Sequence, residues 1–166
     1  MKTIKSLSFY STIMLPYILS SLLLFFTFMS KDTYIAKEAD TVKTMLGLDT
    51  NTFNIVMILT LTISNLVIFF VVFYILKLFI FLFDRAKVTH NKHLFFSLLI
   101  GYTVANLCAL IINDFLNLSI DSVGKYTPFI DLIVFTGLYY YFSKLKKITT
   151  ILFMIKLIIG LPGVLV

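Results

Sequence analysis

The sequence predicts an all-α polytopic membrane protein, a single domain built as a five-helix transmembrane bundle. Three observations predict it. Of 166 residues, 60% are hydrophobic and only 13% are charged, against about 25% charged in a soluble domain. The charges are bunched in short clusters. The apolar runs between the clusters approach the roughly 17–25 residues that cross about 30 Å of hydrocarbon.

The first run is read from Leu7 to Met29, behind Lys2 and Lys5. It is too long for a signal-peptide core of about 7–15 residues, and no small-residue cleavage site follows it. It is therefore expected to stay as a span. Pro16 removes a helix hydrogen bond near its middle. Ser20 and Ser21 stand ready to serve the freed carbonyl groups.

Residues 30–53 form the longest polar stretch and are expected outside the membrane. Tyr34, Ile35, Val42, Met45, Leu46 and Leu48 recur there at roughly helical spacing. The stretch reads equally as an amphipathic helix on the membrane surface or as a solvated loop.

The second run, from Asn54 to Phe83, exceeds a perpendicular crossing. Its span is placed at 54–76, with Lys77 snorkelling to the interface and 78–83 forming an interfacial turn. The third span is placed at 94–116, after a basic loop holding Arg85, Lys87 and Lys92. The fourth, 128–143, opens on Pro128, a residue suited to the first turn of a helix. It closes on Tyr139, Tyr140 and Tyr141, side chains that anchor at an interface. Lys144, Lys146 and Lys147 precede the fifth, 148–166.

Basic residues orient such a chain. An inside N-terminus puts Lys2, Lys5, Arg85, Lys87, Lys92, Lys144, Lys146 and Lys147 in the cytoplasm. Lys31, Lys37, Lys43 and Lys125 then lie outside, mixed with acids. The positive-inside rule thus predicts a multi-pass cell-membrane protein with its N-terminus cytoplasmic and its C-terminus extracellular. The net charge of +6 is accounted for by these clusters and by anionic headgroups, so nucleic acid is not an expected partner. The abundance of Lys, Phe, Ile and Tyr accords with an AT-rich bacterial genome.

Polar groups inside apolar runs are the candidates for function. Ser97, Gly101, Ala105 and Ala109 recur every four residues on one face of the third span. Small residues at that spacing let backbones approach closely in lipid. The face serves either a dimer or, the favoured reading, packing within the chain. Asn106 and Asn113 on this span, with Asn65 on the second, are expected to bond across helices, and the similar depth of Asn65 and Asn106 allows a direct pair. The third span is therefore the expected packing centre.

Asp114 and Asp131 are expected within a turn of the outer boundary, converging with Lys125 or simply meeting water. Lys156 stands about 12 Å into the last span at 1.5 Å per residue. Asp131 is expected to lie too near the outer face to reach it. His90 and His93 make a poor metal site without further ligands. No phosphate-binding glycine loop, zinc-protease motif or nucleophile elbow is present in the sequence. No enzyme activity, metal or cofactor is expected.

From Arg85 onward the order of segments resembles the Yip-type small membrane proteins. The resemblance rests on the basic stretch Arg85 to His93, the run Leu94 to Leu116, the loop from Gly124 through Pro128, and two terminal runs split by Lys144, Lys146 and Lys147. It covers about half the chain. It implies about five spans and no catalytic residues. The long cytoplasmic segment that links eukaryotic members to small GTPases has no counterpart before Leu7.

Two functions follow as expectations. The first is a non-enzymatic accessory or protective protein that binds another membrane component: a transporter or secretion partner, a membrane-active toxin, or its own copies. The second is a small-solute or ion transporter or channel subunit that uses Asp114, Asp131 and Lys156.

Overall fold

The computed structural model describes residues 2–83, 91–116 and 120–160, with side chains described except at 2–11, 120 and 121. The side chains of Lys2 and Lys5 and the sequence readings of Arg85, Lys87, His90 and 161–166 lie outside what is described. Six helices and no strands occur among the described residues.

Helix α1, Lys2–Lys31, carries Pro16 within it. Ser20 Oγ donates to the Tyr17 carbonyl at 2.9 Å, a back-bond available to serine in a helix. Asp32 then caps α2, Thr33–Met45, accepting from the Tyr34 amide at 2.8 Å and the Ile35 amide at 3.4 Å. The polar stretch after the first run is therefore helical, not a bare loop. Tyr34, Val42, Met45 and Leu46 are exposed on it.

The chain then turns sharply into the next helix. Gly47 has φ +62°, a left-handed conformation that suits glycine. The Gly47 amide donates to Thr44 at 3.1 Å and the Leu48 amide to Lys43 at 3.2 Å, the paired bonds of a Schellman ending. Asp49 Oδ1 at once caps α3, Thr50–Phe83, at 2.9 Å from the Asn51 amide and 3.0 Å from the Thr52 amide. The Thr52 hydroxyl donates to Asp49 Oδ2 at 2.6 Å. These bonds, led by that of Thr52, lower the Asp49 pKa from its usual 3.8.

Helix α3 runs unbroken for 34 residues, about 51 Å at 1.5 Å per residue. The expected interfacial turn at 78–83 is corrected: the apolar sequence offers no breaker there, and the helix continues. Lys77 is half-buried, its Nζ 5.9 Å from the Tyr74 ring centroid.

Helix α4, Asn91–Leu116, touches α1, α3 and α5 and packs most extensively on α5. Helix α5, Ile120–Ser143, begins two turns before Pro128, which lies inside it. Lys144 takes a left-handed φ of 58° and its amide donates to the Tyr140 carbonyl at 2.8 Å. Its Nζ lies 4.5 Å from the Tyr141 ring centroid. This tight turn folds α6, Lys146–Gly160, back against α5.

The core joins Phe69 and Leu76 of α3, Leu94 and Leu98 of α4, Phe135 and Tyr139 of α5, and Leu152 of α6. Met14 and Tyr17 of α1 close it on one side. Among the described residues three helical segments are long and apolar enough to cross a membrane: Thr12–Lys31, Thr50–Phe83 and Asn91–Leu116. Helix α6 has 15 described residues, about 22 Å of helix. The described residues are thus those of an all-helical membrane protein with these three candidate spans.

Candidate functional site

Lys156 and Asp131 meet inside the protein. Lys156 Nζ lies 2.7 Å from Asp131 Oδ1, with the side chains 5% and 11% exposed. The ammonium also sits over two rings, 4.1 Å from the Phe135 centroid and 4.8 Å from that of Tyr102. An ammonium over aromatic faces is attracted by their quadrupoles, the more so when water is excluded. One cation is thus held by a carboxylate and two rings supplied by α4 and α5.

The expected separation of these two residues is corrected, and the reason is the start of α5. Placing that helix at Pro128 put Asp131 near an end. With the helix beginning at Ile120, Asp131 lies about 16 Å along it at 1.5 Å per residue. Lys156 lies about 15 Å along α6 from Lys146. In an antiparallel hairpin those positions coincide, since both residues stand nearly equally far from the turn at Lys144.

Gly101 makes room for the pair. A Cβ at Gly101 would stand 2.9 Å from Asp131 Oδ1, 3.3 Å from Phe135 Cβ and 3.5 Å from Phe135 Cα. Ser97, Gly101, Ala105 and Ala109 are all buried, and at Gly101 this small-residue face receives α5. A cavity of about 450 Å³ borders the pair. It is walled by Leu24 and Phe28 of α1, Ala105 and Asn106 of α4, Thr127 of α5 and Ile159 of α6.

The other candidates are placed elsewhere. Asp114 pairs with Lys31 of α1, and Lys31 Nζ also donates to Asn113 Oδ1 at 3.0 Å. Asp114 therefore does not converge with Asp131, and Lys125 is exposed on α5. Asn106 Nδ2 donates to Ser20 Oγ of α1 at 3.2 Å. The Tyr17 hydroxyl donates to the Asn65 backbone carbonyl at 3.3 Å. The direct pair that depth allowed between Asn65 and Asn106 does not form: α1 offers Ser20 to Asn106 and Tyr17 to the backbone of Asn65. Sequence reading missed Tyr17 and gave Ser20 a role toward the backbone of its own helix, not toward Asn106. A tyrosine and a serine three apart beside a mid-run proline were the available signal.

His93 packs against Phe142 with ring centroids 6.0 Å apart. No group of three or more potential metal ligands is assembled among the described residues. No protein-family model matches the chain, and neither a curated protein nor a solved structure gives a significant match. The likeness to Yip-type proteins rests on the order of basic and apolar segments alone.

Proposed function

We propose that this chain is a non-enzymatic, five-span cell-membrane protein that acts by binding another membrane component. The observation that carries the reading is the cavity beside the buried pair of Asp131 and Lys156. Charges within membrane helices are costly and typically mark a site rather than a strut. A pocket of about 450 Å³ falls within the usual range for ligand sites, about 300–1,000 Å³. The pair is internally neutral, which argues against a lone ion as the occupant. Asp114, held by Lys31 at the far ends of α1 and α4, belongs to a separate contact.

The five-span topology adds α5 and α6 as crossings to the three apolar segments. Its support is the basic cluster Lys144, Lys146 and Lys147 at their turn and the apolar character of both arms. The same cluster supports an inside N-terminus and an outside C-terminus. Partners in this reading are the bilayer and a second membrane component, which is a protein, a further copy of the chain or a lipid.

The test is purification from membranes in mild detergent, followed by mass spectrometry of proteins and lipids together. A second component recovered in stoichiometric amount is the expected result. Recovery of the bare chain from every preparation would refute the reading. Ion conduction by the purified protein in liposomes would replace it with the transport reading.

A further inference from the structure

We propose that the cavity between α1, α3, α4, α5 and α6 is a binding site for a zwitterionic amphiphile, with Lys156 occupying the place of its ammonium group when the site is empty. The inference rests on the reading of the chain as a binder of membrane components, and it names the chemistry of the component.

Three features point to that chemistry. The first is charge. The polar end of the cavity holds one carboxylate and one ammonium, 2.7 Å apart. A lone cation would leave Lys156 unmatched in a dry site, and a lone anion would leave Asp131 unmatched. Either residue alone would bear the cost of an uncompensated buried charge. A ligand that carries both signs leaves neither unmatched. Its ammonium takes the position beside Asp131, and its anionic oxygens take Lys156. One internal ion pair is exchanged for two intermolecular ones, and the net charge of the site stays zero.

The second feature is the aromatic enclosure. The Phe135 and Tyr102 rings already hold an ammonium at 4.1 and 4.8 Å. Cation–π sites of this kind recognise alkylammonium ligands. Lys156 sits there on a flexible four-carbon stem, so its head can move aside without a shift of α6.

The third feature is the rest of the wall. Leu24, Phe28 and Ile159 make it apolar away from the pair. Asn106 and Thr127 add neutral polar groups to this wall, and a largely apolar wall with one charged pair fits a ligand with an apolar body and one charged head. The bilayer around the helices supplies such molecules at high local concentration. The shared chemistry is an ammonium joined to an anionic oxygen group, whether borne by a lipid headgroup or by a free zwitterion.

The experiment uses the full chain in nanodiscs of phosphatidylglycerol, which contain no zwitterion. Native mass spectrometry measures retention of lysophosphatidylethanolamine, lysophosphatidylglycerol, dodecylamine and free glycerophosphoethanolamine, a phosphodiester with the same headgroup charges. One lysophosphatidylethanolamine per chain is expected, preferred over the anionic and cationic amphiphiles by about tenfold in Kd. Competition by glycerophosphoethanolamine alone at equal strength would also support the site and would assign it to a soluble zwitterion.

Two charge variants change the selectivity in opposite directions. Lys156→Met should favour dodecylamine, and Asp131→Asn should favour lysophosphatidylglycerol. Gly124 lines the cavity and has open space where a Cβ would lie. Gly124→Leu should abolish retention without lowering the melting temperature. Equal retention of all amphiphiles by the wild type, or unchanged selectivity in both charge variants, would overturn the proposal. If that happened while a protein partner still copurified, the zwitterion site would fall and the wider reading would stand.

Discussion

Gly101 of α4 faces Asp131 of α5 so closely that an added Cβ would stand 2.9 Å from the carboxylate oxygen. That oxygen is the one bonded to Lys156. It cannot retreat freely, and Phe135 Cβ would also be crowded at 3.3 Å. Gly101→Ala should therefore lower stability by about 1 kcal/mol, and Gly101→Leu by about 1–3 kcal/mol, as overpacked sites do. Thermal melting in detergent measures this, with Ile133→Ala, on an exposed position, as the control. Melting of Gly101→Leu at the wild-type temperature would mean that the two helices do not meet there.

The ion pair itself predicts non-additive mutations. Lys156→Met leaves Asp131 buried and unmatched, which costs about 3–5 kcal/mol for a buried pair. Asp131→Leu should cost a similar amount. The double variant replaces two charges by apolar groups and should recover most of that loss. A double-mutant cycle in detergent reads the coupling directly. Simple additivity of the two single losses would show that the groups do not interact.

Asp49 predicts a local dependence on pH. Its pKa is lowered in the folded chain, chiefly by the Thr52 hydroxyl. A depressed carboxyl contributes stability that is present above its unfolded value and lost as pH falls through the folded one. The first turn of α3 should thus begin to loosen below about pH 4, near the ordinary carboxylate range. Hydrogen exchange at residues 51–53 should quicken there, and Asp49→Ala should exchange quickly at every pH. Equal protection in Asp49→Ala and the wild type would show that this cap contributes nothing.

Topology is testable in intact cells. In a Cys108→Ser background, single cysteines replacing Asp40 and Asp121 should react with an impermeant thiol reagent. Those replacing Val88 and Leu145 should not. Labelling of Val88→Cys from outside would reverse the orientation.

Much of the fold was legible because apolar periodicity reports helices directly. Ser97, Gly101, Ala105 and Ala109 declared a close-packing face by their spacing alone, and α4 does pack closely on α5 at Gly101. What stayed hidden was the extent of α5. Residues 120–127 include Asp121, Ser122, Gly124 and Lys125, so hydropathy marks them as loop, and Pro128 imitates a start. The helix nevertheless continues through them, since helical backbone needs no apolar sequence. That error concealed the meeting of Asp131 with Lys156. Partner choice was hidden for a different reason: Asn106 could be assigned to a polar neighbour by type, but spacing along one chain says nothing about which helix stands beside it.

The turn at Lys144 sets which residues of the last two helices lie opposite each other. One residue inserted into α6 between Lys146 and Lys156 would turn Lys156 by about 100° and advance it by about 1.5 Å relative to the turn. Lys156 would then point away from Asp131 although neither had been mutated. Homologous chains that keep this pair should therefore tolerate varied side chains in the turn but not an insertion in either helical arm between Asp131 and Lys156, so gaps there would be a more telling sign of a lost site than substitutions.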